Sequence, residues 1–169
     1  MFIHKEKPDV ISGWNITPSN KLNISGFDLP YIINRCESLL GNDDGKKLYS
    51  LLSPIKEVKK YNKNESTHIS IAGISILDYM AMYKFYTRKN PESYSLDYVT
   101  RMELDVGKLE YEGTLSDLYY NDWDTYVDYN IIDTYRIKQL EDKLGYVSLV
   151  QSLSLMTKCP MEGFQTVTQ

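Results

Sequence analysis

At 169 residues with 42% hydrophobic side chains, the chain is sized for one domain with its own core rather than two. A net charge of −4 and a sequence pI near 5.2 exclude a uniformly basic, charge-driven nucleic-acid binder. They do not exclude a nuclease that gathers carboxylates around divalent cations. Cys36 and Cys159 stand far apart without CxxC or histidine spacing, which argues against a zinc site or a disulfide framework and fits a reducing, intracellular setting. The N-terminus has no apolar leader, and no run approaches the roughly 18 apolar residues of a membrane span.

In chain order, "DVISGW" (9 to 14) alternates like a short strand. From Asp28 the period changes to 3.6, with Leu29, Ile32, Ile33, Cys36, Leu39 and Leu40 on one face, Pro30 in the first turn and Gly41 as a stop. Residues 42 to 67 are polar and read as a hairpin or irregular excursion anchored by Leu48, Leu51 and Leu52. "HISIAGISILDYM" predicts a second, buried strand bent at Gly73. Helices are predicted at 94 to 104, in a short segment after the loop "GKLEYEG", at about Trp123 to Leu144 with Gly145 as its stop, and through "YVSLVQSLSLMT". On the long helix, Val127, Ile131, Ile132, Tyr135, Leu140 and Leu144 are expected to share the inner side. Strands alternating with helices indicate an α/β layered domain.

Two carboxylates invite a chemical reading. Asp28, just before Leu29 and Pro30, has the position of a helix N-cap. Asp133 follows Tyr129 by four residues, so phenol and carboxylate share a helical face; alone, that spacing equally suits an amphipathic surface. The stretches "GWN", "FDLPYI", "AGISILDYMAMYKFY", "SYSLDYV", "GKLEYEG" and "YNIIDTYRI" occur in that order. Together, over about residues 8 to 160, they resemble the 3′-5′ exonuclease domain of family B DNA polymerases, of the replicative type found in tailed bacteriophages.

The resemblance implies an α/β, RNase H-like fold: a mixed sheet flanked by helices, lacking its first strands. It places a partial exonuclease domain at 1 to 160 and the start of a connection toward a polymerase palm at 161 to 169. The family's second motif is an Asn followed closely by Phe-Asp, here Asn23 or Asn15 with Phe27 and Asp28. Its third motif is Tyr129 to Asp133. By likeness, Asp28 and Asp133 would bind Mg2+ or Mn2+ in a two-metal site, Tyr129 would orient the attacking water, and the asparagine and Phe27 would meet the substrate. The implied partners are a single-stranded DNA 3′ end and either the remaining polymerase or a segment carrying the Asp-x-Glu motif. The implied place is the cytoplasm of an infected bacterium.

Two departures matter. "MFIHKEKP" contains no Asp-x-Glu pair, so two of four expected carboxylates would be absent and little catalysis is expected of the chain alone. The Asn-Ile pair is repeated at 15 and 23, as if about eight residues were inserted. Asn23, five residues before Asp28, looks more like the family motif, with residues 16 to 22 looping out; the alternative is that Asn15 keeps its place at the strand end and the longer connection disorders the site. Other readings are a non-catalytic structural or DNA-binding module, and an independent nuclease that recruits Asp9 or Asp78. His4 and His68 are isolated, most tyrosines suit packing, and Lys56, Lys59, Lys60 and Lys63 form a solvated cluster within reach of a DNA backbone.

Overall fold

The computed structural model describes residues 5–63, 66–107 and 113–164. His4, most of the "GKLEYEG" loop and the end of the 161–169 connection lie outside them. Contacts divide the chain into two compact units, Met1–Arg88 with Val147–Gln169, and Lys89–Tyr146, where length alone suggested one.

The first unit runs β1 (Val10–Gly13), α1 (Asp28–Leu40), α2 (Asn42–Ser50), β2 (Val58–Lys63), β3 (Ser66–Ile71), β4 (Ser75–Asp78) and α3 (Tyr79–Tyr86). The second unit carries α4 (Leu96–Leu104), α5 (Leu115–Asn121) and α6 (Trp123–Leu144). The chain then enters α7 (Tyr146–Thr157) and a 3₁₀ turn at Met161–Phe164. This is an α/β arrangement, but its described strands form two separate pairs instead of one mixed sheet. β1 and β4 are parallel, in register from Val10 opposite Ser75 to Gly13 opposite Asp78. β2 and β3 form an antiparallel hairpin.

The predicted second strand is thus two strands. Gly73 takes φ +84° at the turn between them, and a Cβ there would stand 2.6 Å from Pro54 Cγ, so the chain reverses instead of bending gently. The excursion at 42 to 67 also has more structure than its polarity suggested, because α2 precedes the hairpin. Ile16, Leu29, Ile33, Tyr49, Leu52, Val58, Ile69, Ile71, Ile74 and Ile76 form the core of this unit. Glu37 ties it together from the outside: its carboxylate accepts from Lys60 Nζ at 2.5 Å and Tyr49 Oη at 3.1 Å. The Lys60 hydrogen bond, with help from Tyr49, holds the Glu37 carboxyl below its ordinary value.

On α1 the buried residues are Leu29 and Ile33, with Cys36 partly buried against the core. Ile32, Leu39 and Leu40 are exposed, so the inner face is narrower than the apolar pattern implied. On α6 Tyr129, Arg136 and Leu140 are buried, and of the expected inner side Val127, Ile132 and Leu144 are half-buried. Ile131 and Tyr135 point to solvent. A buried arginine interrupts the hydropathy pattern, so periodicity widened the inner face to include Ile131 and Tyr135.

A candidate exonuclease site

Asp28 is the first residue of α1, after Phe27 at the N-cap position. The expected N-cap role is therefore corrected: its carboxylate stands one residue inside the helix. Asp28 is solvent-exposed, and among the described residues it has no hydrogen bond or ion pair. Partial loss of hydration raises its carboxyl above the ordinary aspartate value, with no neighbouring cation to offset it. Beside it, Phe27 is exposed and stacks on Tyr31 with ring centroids 5.3 Å apart.

The connection from β1 to α1 settles how the two asparagines are used structurally. Asn15 adopts φ +60°, in the left-handed region that asparagine tolerates. Its side-chain Oδ1 accepts from Gly26 N–H at 3.0 Å, and its backbone carbonyl accepts from Phe27 N–H at 2.7 Å. Ile16 carbonyl accepts from Leu29 N–H at 3.3 Å. The two residues after β1 thus grip the residues on both sides of Asp28. Asn23 is exposed and closes the 3₁₀ turn Asn20–Leu22, its N–H donating to the Asn20 carbonyl.

Residues 16 to 24 do not loop out. Ile16, Pro18 and Ile24 are buried, and Ser19 and Ile24 exchange two backbone hydrogen bonds of 2.9 Å. Gly26 completes the closure with φ +65°; a Cβ would stand 2.1 Å from Pro18 N. Residues 16 to 24 make a closed ear, and the strand end remains next to the helix start.

Asp78 is the residue that sequence reading undervalued. It ends β4, is fully buried, and caps α3 by accepting from Ala81 N–H at 3.2 Å. It also accepts from Asn15 N–H at 3.3 Å and Thr17 N–H at 3.0 Å. Burial raises its carboxyl, while these backbone donors and Ile16 pull the other way. Its carboxylate serves as the anchor of the Asn15 turn. The signal was present in "SILDYMAM", an aspartate between an apolar strand and an apolar helix.

In the second unit, Tyr129 is buried on α6 and Asp133 lies one turn along the same face. Arg136 Nη1 stands 3.6 Å from Asp133 Oδ1. The guanidinium is buried, and its Nη2 donates to the Gly107 carbonyl. Nη1 is buried without a hydrogen-bond partner among the described residues, so the attraction of Asp133 is the compensation this nitrogen has. Glu103 on α4 is likewise buried and paired with Lys89 at 3.1 Å and Lys143 at 3.5 Å.

Asp28 offers the oxygen-only ligation that suits a hard divalent cation. Within neither unit do three described His, Cys, Asp or Glu side chains come close enough to hold one.

The sequence profile of the DNA polymerase family B exonuclease domain matches residues 1–99. The chain belongs to the family B DNA polymerases. It is 33% identical over 162 residues to the DNA-directed DNA polymerase of Escherichia phage RB69, covering 96% of this chain and 17% of that protein. It is 37% identical over 163 residues to the DNA-directed DNA polymerase of Enterobacteria phage T4, covering 94% of this chain and 17% of that one. The chain thus spans about one sixth of the length of these curated relatives. The profile covers both asparagines and Asp28; Tyr129 and Asp133 lie in the further stretch that the phage polymerases match. Among the described residues, no helix is long and apolar enough to cross a membrane.

Proposed function

We propose that this chain supplies part of the proofreading 3′-5′ exonuclease of a phage-type DNA polymerase, acting on the 3′ end of DNA. The observation that carries the proposal is Asp28: an unpaired carboxylate in the first turn of a helix, framed by the Asn15 hydrogen bonds, within a chain of this family. Asp28 and Asp133 are read as ligands of Mg2+ or Mn2+, completed by carboxylates that neither unit provides alone. In two-metal hydrolysis such cations activate water and stabilise the leaving oxygen.

The chain's own residues do the positioning. Asn15 fixes the backbone before Asp28, and in this reading its amide also faces the terminal nucleotide, a role for which the hydrogen bonds favour it over Asn23. Phe27, exposed and backed by Tyr31, offers a ring on which a base can stack. Tyr129 orients water, and Arg136 holds Asp133 in place. An RNase H-like assembly with an Asp-x-Glu-bearing segment, on the same polypeptide or a companion, would complete the site. Its setting would be the cytoplasm of the infected host.

The test is a chimera in which these 169 residues replace the matching segment of the T4 polymerase. The expected result is removal of a mismatched 3′ nucleotide that falls at least 100-fold in Asp28→Ala and in Asp133→Ala. Removal that survives both substitutions would overturn the proposal. A chimera that binds and extends primers but never removes mismatches would favour the non-catalytic module.

A further inference from the structure

The second unit carries an exposed aromatic group that the exonuclease reading does not use. Tyr119 and Tyr120 at the end of α5, and Trp123 and Tyr126 at the start of α6, contact one another. Tyr119 has its ring centroid 5.3 Å from Trp123 and 5.6 Å from Tyr126, while Trp123 and Tyr126 stack at 5.5 Å. Tyr120 is 81% exposed and Trp123 is 55% exposed. Four rings held edge to face and stacked at a helix junction form a preassembled surface, with little side-chain entropy left to lose on binding.

The charge around it is one-sided. From Gly113 to Tyr129 the sequence has Asp117, Asp122, Asp124 and Asp128 and no lysine or arginine. Asp117 caps α5 in a capping box with Thr114, and Asp122 caps α6 through Thr125. Those hydrogen bonds hold both carboxyls below their ordinary value, so they stay charged while remaining exposed. Asp124 and Asp128 are exposed on the first turns of α6. Aromatic faces attract cations and carboxylates reinforce that attraction, whereas the same carboxylates repel a phosphate backbone.

We infer that Tyr119, Tyr120, Trp123 and Tyr126, with their aspartate rim, form a docking surface for a lysine- or arginine-rich segment of another protein. Charge complementarity selects this occupant over single-stranded DNA, which would favour the rings but meet the wrong charge.

The test is titration of the full chain, read by tryptophan fluorescence, with a hexa-arginine peptide and separately with an oligo-dT of about ten nucleotides. Trp123→Phe in parallel isolates the signal of this residue from that of Trp14. The expected result is salt-sensitive peptide binding that perturbs Trp123. It weakens about threefold or more in Tyr120→Ser, and again in Asp124→Asn/Asp128→Asn, with circular dichroism unchanged. Oligo-dT binding that perturbs Trp123 and strengthens in the Asp→Asn variant would overturn the inference in favour of a base-stacking platform. Absence of any Trp123 response to the peptide would overturn it outright.

Discussion

The two motif aspartates are held in opposite ways. Asp28 is placed by its backbone: the helix start beneath it is gripped by Asn15 and Ile16, and the carboxylate itself has no partner among the described residues. Asp133 is placed through its side chain, by a buried arginine 3.6 Å away on the next helical turn. A carboxylate positioned by its backbone is left open to bind something else, whereas one positioned by a salt bridge must share its charge. The first arrangement puts the burden on a third aspartate, Asp78, whose buried carboxylate accepts from Asn15, Thr17 and Ala81. The second puts it on Arg136.

The strongest way to break this contrast is to remove the hidden anchor. Asp78→Ala empties a fully buried site and takes the acceptor from the buried N–H of Ala81 and the part-buried N–H groups of Asn15 and Thr17. At about 1 to 3 kcal/mol for each buried polar group, a loss of at least 3 kcal/mol is expected in urea unfolding. Gly26→Ala acts on the same connection from the other side, through a positive φ and a collision with the Thr17–Pro18 backbone. It should cost about 2 kcal/mol and displace the ear, visible as amide shift changes across residues 15 to 29.

Arg136→Met sharpens the other half. Replacing a buried guanidinium by an apolar side chain of similar length removes its desolvation cost but frees Asp133 and the Gly107 carbonyl, so the stability change should stay within about 1 kcal/mol. Mismatch removal by the T4 chimera should nonetheless fall about tenfold, separating positioning from folding.

The smallest effect belongs to Asp28→Asn, within about 0.5 kcal/mol at neutral pH, because no partner is lost. Its pH dependence carries the information. A raised folded pKa means that the folded state holds this proton more tightly than the unfolded state. The contribution of Asp28 to stability is therefore full below the unfolded value and is lost as pH rises through the folded one. Asp28→Asn should flatten that part of the profile. An unchanged profile would mean that Asp28 is fully hydrated.

Much of this is legible in the sequence. α1 and α6 were visible because apolar periodicity and glycine stops at Gly41 and Gly145 agree, and the structure bounds both helices at those glycines. The hairpin was recognisable only as one option, because Lys59, Lys60 and Lys63 make β2 an exposed strand with no apolar alternation to read. Asp78 and Arg136 were hidden for the same physical reason. A buried charged residue is compensated by partners distant in sequence, as Asp78 is by Asn15 and Thr17, and hydropathy patterns cannot register such pairing. The choice between Asn15 and Asn23 was likewise open, because two identical dipeptides differ only in what the intervening chain closes against. Pro18 and Gly26 close the intervening chain on itself, so that Asn15 meets the backbone before Asp28 while Asn23 stays on the turn.

The connection between β1 and α1 delivers Asn15 to the start of α1 and leaves Asn23 on the ear. The most direct measurement compares mismatch removal by the T4 chimera carrying Asn15→Ala with that carrying Asn23→Ala. Asn15→Ala should reduce the rate about tenfold or more, since it loses the side-chain hydrogen bond from Gly26 N–H; the left-handed φ is common to both asparagines and does not separate them. Asn23→Ala should leave the rate within about twofold, its side chain being exposed outside that network. A large loss in Asn23→Ala with Asn15→Ala near the unmutated rate would contradict the account.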